Sequence, residues 1–362
     1  MFFYILKKLD WVLLVSVLLL CGVGLLSISS TVYTPNAKYF YKQLIFVIVG
    51  FIVMIGFAVL DYRVFRNHPI FLLIIYILSI LVLAAVLVFG KQVRGATSWF
   101  RFGPLNFEPV ELAKFVIILI LAEYFSLRHI ELYRIRHIII SGLYMLIPVG
   151  LVFFQPDLGS AMVLVFLWLG VMIVAGIKLR QLLVLFLIGT IIFAIAWFVI
   201  LKPYQKDRVI SFIDPYLDPL GSGYHRIQSV IAVGSGHIFG RGLGHGPQSQ
   251  LNFLPDRYTD FIFASIGEEM GFVGVVLIFV FYFLLFFRII KTALNTTNNF
   301  ARLFCVGAGI VLIFHVAVNI GMNLGIFPIA GISLPFISYG GSNLLINFIT
   351  LGIVQSIAIR SK

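Results

Sequence analysis

Apolar residues in this chain fill long, nearly unbroken runs instead of alternating or recurring along one stripe. Ten such runs lie near 11–30, 43–60, 69–90, 109–127, 138–154, 157–176, 182–201, 261–287, 303–326 and 338–358. Each reaches roughly the 20 apolar residues that a helix needs to cross a bilayer, so the pattern predicts an all-α polytopic membrane protein with ten transmembrane helices. The fifth and sixth runs are parted only by Gln155-Pro156-Asp157, which predicts a tight helical hairpin. One interruption is large. It runs from about 202 to 260, carries Pro203, Pro215, Pro219, Pro247 and Pro255 among many glycines, and contains a stretch from Arg226 to Phe239 that fits an amphipathic interfacial helix. The chain is read as one integral membrane domain over 1–362, with this loop between helices seven and eight.

Composition agrees with that reading. Of 362 residues 61% are hydrophobic and 11% charged, with a mean hydropathy of +1.09; a soluble domain is about 25% charged. The net charge of +12 does not call for nucleic acid, because much of it lies in short loops where anionic membrane lipids and the orientation rule account for it. With the N-terminus in the cytoplasm, the cytoplasmic loops and ends hold fourteen lysines and arginines and the short opposite loops five. Both termini are then cytoplasmic and the long loop faces outward. Cys21 and Cys305 lie inside apolar runs and read as small buried hydrophobes. The first run is longer than a signal-peptide core and has no Ala-x-Ala site after it, so it is expected to be a retained helix.

Walker loops, zinc-ligand spacings and Gly-x-Ser-x-Gly elbows are absent from the sequence. Chemistry must therefore come from ionisable residues at the ends of the apolar runs, where they are expensive and usually functional. Asp260 stands where the long loop meets the eighth helix, near Asp256 and Arg257 and ahead of Glu268 and Glu269. It can be a helix cap, a general base, or both. Glu111 and Lys114 share a helical face at the start of the fourth helix, either as a buried structural pair or as the wall of a polar cavity. Asp157 caps or lines the site from the Gln-Pro-Asp turn. Arg94, Arg101, Arg208 and Arg226 face outward, where guanidinium groups suit phosphate or pyrophosphate. Ser338 offers a hydroxyl just before Gly340 and Gly341.

At these residues the chain resembles the SEDS family (shape, elongation, division and sporulation proteins), on its RodA-like side. The blocks are Gly95-Ala96-x-Ser98-Trp99-Phe100, Pro109-x-Glu111-Leu112-x-Lys114, Gln155-Pro156-Asp157-Leu158-Gly159 and Gln228-Ser229-x-x-Ala232-x-Gly234-Ser235-Gly236. They continue with Gly240-x-Gly242-Leu243-Gly244, Leu254-Pro255 through Thr259-Asp260-Phe261-Ile262-Phe263-Ala264, Gly267-Glu268-Glu269-x-Gly271 and Ser338-Tyr339-Gly340-Gly341-Ser342. The resemblance implies ten transmembrane helices in the bacterial cytoplasmic membrane and polymerisation of lipid II on its outer face. It also implies a class B penicillin-binding protein as crosslinking partner, within the elongation machinery. Asp260 falls on the family's catalytic aspartate, Glu111 and Lys114 on its ion pair, and Asp157 on the acidic residue of its turn. No organic cofactor is expected; a divalent cation, magnesium or manganese, is expected alongside Lys114 and the arginines as a source of positive charge for the pyrophosphate.

Two positions depart from the family pattern. Tyr258 replaces a histidine two residues before Asp260, and Val110 replaces a serine before Glu111. The expected reaction is attack of a sugar 4-hydroxyl on the anomeric carbon of a lipid-linked donor, with Asp260 taking the proton and cationic groups stabilising the departing pyrophosphate. Two alternatives stay open, a division-type homologue similar to FtsW and a flippase for the same lipid. A flippase needs polar groups reachable from both faces, whereas these candidates share one.

Overall fold

The computed structural model describes residues 7–30, 37–93, 96–103, 105–128, 135–199, 201, 203–221 and 223–361. In chain order the elements are α1 (Trp11–Ser30), α2 (Ala37–Val59), the short α3 (Arg63–Asn67), α4 (Pro69–Phe89), β1 (Lys91–Val93), β2 (Ala96–Phe102), β3 (Leu105–Phe107) and α5 (Pro109–Ser126). The rest are α6 (Ile135–Phe154), α7 (Leu158–Ala175), α8 (Leu179–Val199), α9 (Pro203–Ile213), α10 (Tyr224–Ser235), α11 (Pro247–Gln250), α12 (Ile262–Asn295), α13 (Asn299–Asn323) and α14 (Gly341–Arg360). Among the described residues nine helices are long and apolar enough to cross a membrane. α5 is of similar length, 18 residues, but carries Glu111, Lys114 and Glu123.

The all-α expectation has one exception. Three segments left without structure by the hydrophobic pattern, 91–93, 96–102 and 105–107, form a small antiparallel sheet of order β1-β2-β3. Arg101 pairs with Asn106 and Phe100 with Phe107 across β2 and β3. The strands are too short and too mixed to show as a period, yet they place Ser98, Trp99 and Arg101 against the head of α5.

α14 runs along α2, α12 along α1, and α13 packs between α5, α7 and α12. Small residues permit the closest approach: a Cβ on Gly352 of α14 would lie 2.7 Å from the Met54 carbonyl oxygen of α2. The end of the bundle away from the cavity is locked by polar clasps. Arg288 Nε donates to Asp10 Oδ2 at 2.6 Å, and Arg360 donates to the carbonyls of Ala58 and Val59. α8 buries none of its residues.

α12 is broken near its start. Gly271 adopts φ 62°, ψ −159°, a region open essentially to glycine. The break frees backbone groups that lipid could not satisfy, and the long loop takes them up. Phe272 and Val273 amides donate to the carbonyls of His237 and Ile238 at 2.9 and 3.1 Å, while Arg241 and Gly242 amides donate to the carbonyls of Glu268 and Glu269 at 2.9 and 3.0 Å. The side chains act alike. Glu268 accepts from the Gln248 and Ser249 amides, and Glu269 accepts from Ser30 Oγ, the Gly244 amide and Gln250 Nε2. These glutamates, expected as neighbours of the chemistry, anchor the loop instead. Gly271→Ala is expected to destabilise the protein by about 1–3 kcal/mol through backbone strain, seen as a lower melting temperature in detergent. An unchanged melting temperature would show that the break is not glycine-dependent.

Candidate active site

A cavity of about 460 Å³ opens between the small sheet, the head of α5, the α6–α7 turn, the end of the long loop and the segment before α14. Glu111, Lys114, Asp157, Arg101, Arg208 and Asp260 all line it. Residues far apart in sequence therefore share one chamber at one end of the bundle.

Asp260 owes its position to α13. Asn319 Nδ2 and Asn323 Nδ2 each donate to the Asp260 carbonyl at 3.0 Å. Asn319 also holds the Ile332 carbonyl at 2.7 Å, and Asn323 Oδ1 accepts from the Ala264 amide at 3.2 Å. Both asparagines are completely buried, so these bonds are made in a low-dielectric setting where an unmade one is costly. The residue at the N-cap position of α12 is Phe261, and no side chain caps the helix there. Asp260 thus lies one residue before the N-cap position and is held through its backbone carbonyl. A Cβ on Gly331, whose φ is +67°, would lie in ordinary van der Waals contact with Asp260 Oδ2 at 3.8 Å. Asp157 does cap α7, accepting from the Ser160 amide at 3.0 Å, while also lining the cavity.

Lys114 Nζ donates to Glu111 Oε1 at 2.7 Å and lies 3.1 Å from His315 Nε2. His315 Nδ1 faces the Ser333 carbonyl at 3.4 Å, an oxygen that only accepts. The proton therefore sits on Nδ1, and Nε2 accepts from Lys114. All three side chains are buried. At the mouth of this cluster Glu108 is half-buried and backbone-tethered, its amide donating to Ser342 Oγ at 3.1 Å. Burial, then the Glu111 and Asp157 carboxylates, push its carboxyl well above the ordinary glutamate value.

Two expected site residues lie elsewhere. Arg226 does not reach the cavity: its guanidinium donates to the carbonyls of Ser211, Phe212 and Gly325, tying α9, α10 and the end of α13 together. Ser338 is buried, with Oγ donating to the Thr259 carbonyl at 2.6 Å and accepting from the Leu334 amide at 2.8 Å. Both groups are saturated by backbone that irregular segments leave unpaired. Arg94 lies outside the described residues. Tyr258, which departs from the family pattern, stacks on Tyr39 at 5.5 Å between centroids and accepts from Arg257 Nη2 at 3.0 Å. As for the implied divalent cation, among the described residues no three His, Cys, Asp or Glu side chains are grouped to hold a metal ion. The described donors do not make a closed site for it.

Sequence reasoning missed His315, Asn319 and Asn323, although a signal was present. They recur every four residues along an apolar helix, and polar groups inside a membrane span are functional by default. Glu108 and Asn343 gave no such signal, sitting at helix starts where polar residues are common, and neither did Ser98, inside a short strand.

The chain matches the FtsW/RodA/SpoVE cell cycle protein family over residues 7–362. It is 38% identical over 314 residues to peptidoglycan glycosyltransferase MrdB of Escherichia coli K12, covering 87% of this chain and 84% of that one. It is likewise 38% identical over 288 residues to the probable peptidoglycan glycosyltransferase FtsW of Haemophilus influenzae, covering 78% and 72%. Among solved structures, a chain of a peptidoglycan synthase complex that coordinates polymerization and crosslinking superposes with a TM-score of 0.82 at 37% identity, covering 97% of both chains. The rod shape determining protein RodA of Thermus thermophilus superposes with a TM-score of 0.72 at 33% identity, covering 97% and 96%.

The ion pair yields a test. Removing one partner of a buried pair typically costs about 3–5 kcal/mol, whereas exchanging both for apolar groups is often neutral. Lys114→Ala is expected to lower the melting temperature and the yield. Glu111→Leu combined with Lys114→Met should restore stability without restoring activity. Full stability and activity in Lys114→Ala would remove the pair from both folding and function.

Proposed function

Because the chain belongs to the FtsW/RodA/SpoVE (SEDS) family, we propose that it is a peptidoglycan glycosyltransferase that polymerises lipid II into glycan strands during cell elongation. The observation that carries this reading is the cavity itself, in which an anchored aspartate, a buried lysine–glutamate pair and two arginines meet at one end of a membrane-embedded bundle. A flippase would need a polar path to the opposite end, and the polar groups that line this cavity belong to one. The division role of FtsW-like relatives is the second reading, favoured only by the similar identity to both named groups.

In this reading α5 is the fourth of ten spans, both termini are cytoplasmic, and residues 202–260 and the cavity face outward from the bacterial cytoplasmic membrane. The ten spans and the loop make one domain over the whole chain. Crosslinking falls to a class B penicillin-binding protein in the elongation machinery, consistent with the synthase complex that this fold resembles. The apolar surface of helices such as α8, none of whose residues is buried, is left for lipid tails.

The chemistry needs one base. The Asp260 carboxylate takes the proton of the acceptor 4-hydroxyl as that oxygen bonds to the anomeric carbon of the donor. The bond from that carbon to the lipid pyrophosphate breaks, and undecaprenyl pyrophosphate leaves as an anion. Arg101 and Arg208, exposed on the cavity wall, are placed to stabilise that charge by paired N–H donation. An α-linked donor gives a β-linked product by a single displacement, which inverts the carbon and needs no acid for the leaving group. The expected divalent cation would supply further charge to the pyrophosphate; no step here depends on it.

Purified protein in detergent, given lipid II with and without a divalent cation, is expected to form uncrosslinked glycan and release undecaprenyl pyrophosphate without its partner's transpeptidase activity. Absence of strand formation, also in the presence of the partner, would overturn the reading.

A further inference from the structure

Three tyrosine rings meet on the cavity wall. Tyr39 stacks on Tyr258 with centroids 5.5 Å apart and an interplanar angle of 28°, and it meets Tyr339 edge-on at 5.1 Å. All three line the cavity; Tyr39 is 39% exposed, and Tyr258 and Tyr339 are half-buried. They stand on three elements: the start of α2, the end of the long loop and the segment before α14. Those elements are stapled by bonds that do not involve the rings. Gln43, one turn beyond Tyr39 and buried, donates from Nε2 to the Ser338 carbonyl at 3.1 Å and accepts from the Gly340 amide at 3.3 Å. The Tyr339 amide donates to the Tyr258 carbonyl at 2.8 Å. Buried Arg257 lies 5.0 Å from the Tyr258 ring centroid and donates to its hydroxyl, fixing the orientation of that ring. The cluster is a surface already in place, which lowers the cost of ordering it around a ligand.

Chemistry decides the occupant. A tyrosine joins an apolar ring to a polar tip, so three together suit a ligand with both C–H faces and hydroxyl groups. A pyranose ring has both, whereas an isoprenoid tail has only the first. The surroundings favour the sugar, since Asp256, Thr259, Asp260 and Arg208 line the same cavity and hydrocarbon laid over them would strand polar groups. Which sugar it is follows from the turn that carries Tyr258. The Thr259 and Phe261 amides both donate to the Asp256 carbonyl, at 3.0 and 3.2 Å. Tyr258 and Asp260 therefore belong to one tight turn, and both line the cavity. A sugar held beside the base is the one whose hydroxyl the base deprotonates.

We propose that Tyr39, Tyr258 and Tyr339 form a stacking subsite for the terminal pyranose of the acceptor, the sugar that presents its 4-hydroxyl to Asp260. The inference rests on the polymerase reading above and deepens it. Arg101 and Arg208 take the anionic leaving group, while the rings orient a neutral sugar through contact with its C–H face. Tyr258 stands where the family pattern has histidine, so the larger ring beside Tyr39 is a feature of this chain.

The test compares lipid II with lipid I, the same carrier without the terminal sugar. Affinity is read by competition against fluorescent lipid II, and kcat/KM by strand formation, in the same preparations of full-length protein. Wild type is expected to prefer lipid II by roughly 2- to 10-fold, the scale of one aromatic stacking contact. Tyr39→Leu should bring lipid II down to the level of lipid I and leave lipid I unchanged, which makes lipid I the folding control. Tyr39→Phe keeps the ring and should keep most of the preference. No loss in Tyr39→Leu, or equal loss on both lipids, would overturn the subsite, since the ring would then be idle or would serve the fold, the pyrophosphate or the tail. So would a Tyr39→Phe variant that loses as much as Tyr39→Leu, or a wild type that binds both lipids alike. Binding is read independently of turnover, so a protein that prefers lipid II through this ring but forms no strands would retain the subsite and lose the polymerase reading.

Discussion

The functional end of this molecule depends on buried side chains taking over hydrogen bonds that irregular backbone cannot make for itself. In lipid an unpaired amide or carbonyl is worth several kcal/mol of destabilisation, so a helix can be broken and a loop inserted only where such partners are supplied. Here they are supplied twice. Glu268 and Glu269 bind loop amides beside the break at Gly271, and Asn319 and Asn323 hold the carbonyl of Asp260. Backbone of the long loop is thereby fixed to two helices at once, and the catalytic candidate inherits the rigidity of α13.

That constraint separates the polar residues into tasks that the sequence alone leaves mixed. Glutamates on the first half of α12 and Arg226 on α10 hold the scaffold. Glu111, Lys114 and His315 form a near-neutral buried cluster. Asp157 and Asp260 present carboxylates to the cavity, and Arg101 and Arg208 stand on its exposed side. Such an arrangement suits a reaction in which a proton is removed at one point while negative charge accumulates at another.

The membrane-spanning helices were legible in the sequence because unbroken apolar runs have little other explanation; α1, α4 and α14 begin and end within a few residues of the runs that predict them. The small sheet was not, since three short strands leave no period. The break at Gly271 was hidden inside an apolar run whose φ, ψ demand is invisible in hydropathy. At the site, Glu111, Lys114, Asp157 and Asp260 stood out because charge near a span is rare. Arg226 and Ser338 looked the same by residue type, and only their carbonyl and amide partners assign them to scaffolding. His315, Asn319 and Asn323 show the converse: uncharged at first sight, they were passed over although their four-residue spacing marks one face of a helix.

The account rests most heavily on the Asp260 carboxylate as proton acceptor, and the substitution Asp260→Asn isolates it. Asparagine leaves the clamped backbone carbonyl intact and removes only the basic oxygen. Lipid II binding and melting temperature should be retained, while polymerisation falls by roughly the 10²–10⁴-fold typical of a lost acid–base group. Asp256→Asn, on the same cavity wall, should be much milder. Polymerisation near the wild-type rate in Asp260→Asn would contradict the account and move the chemistry to another residue.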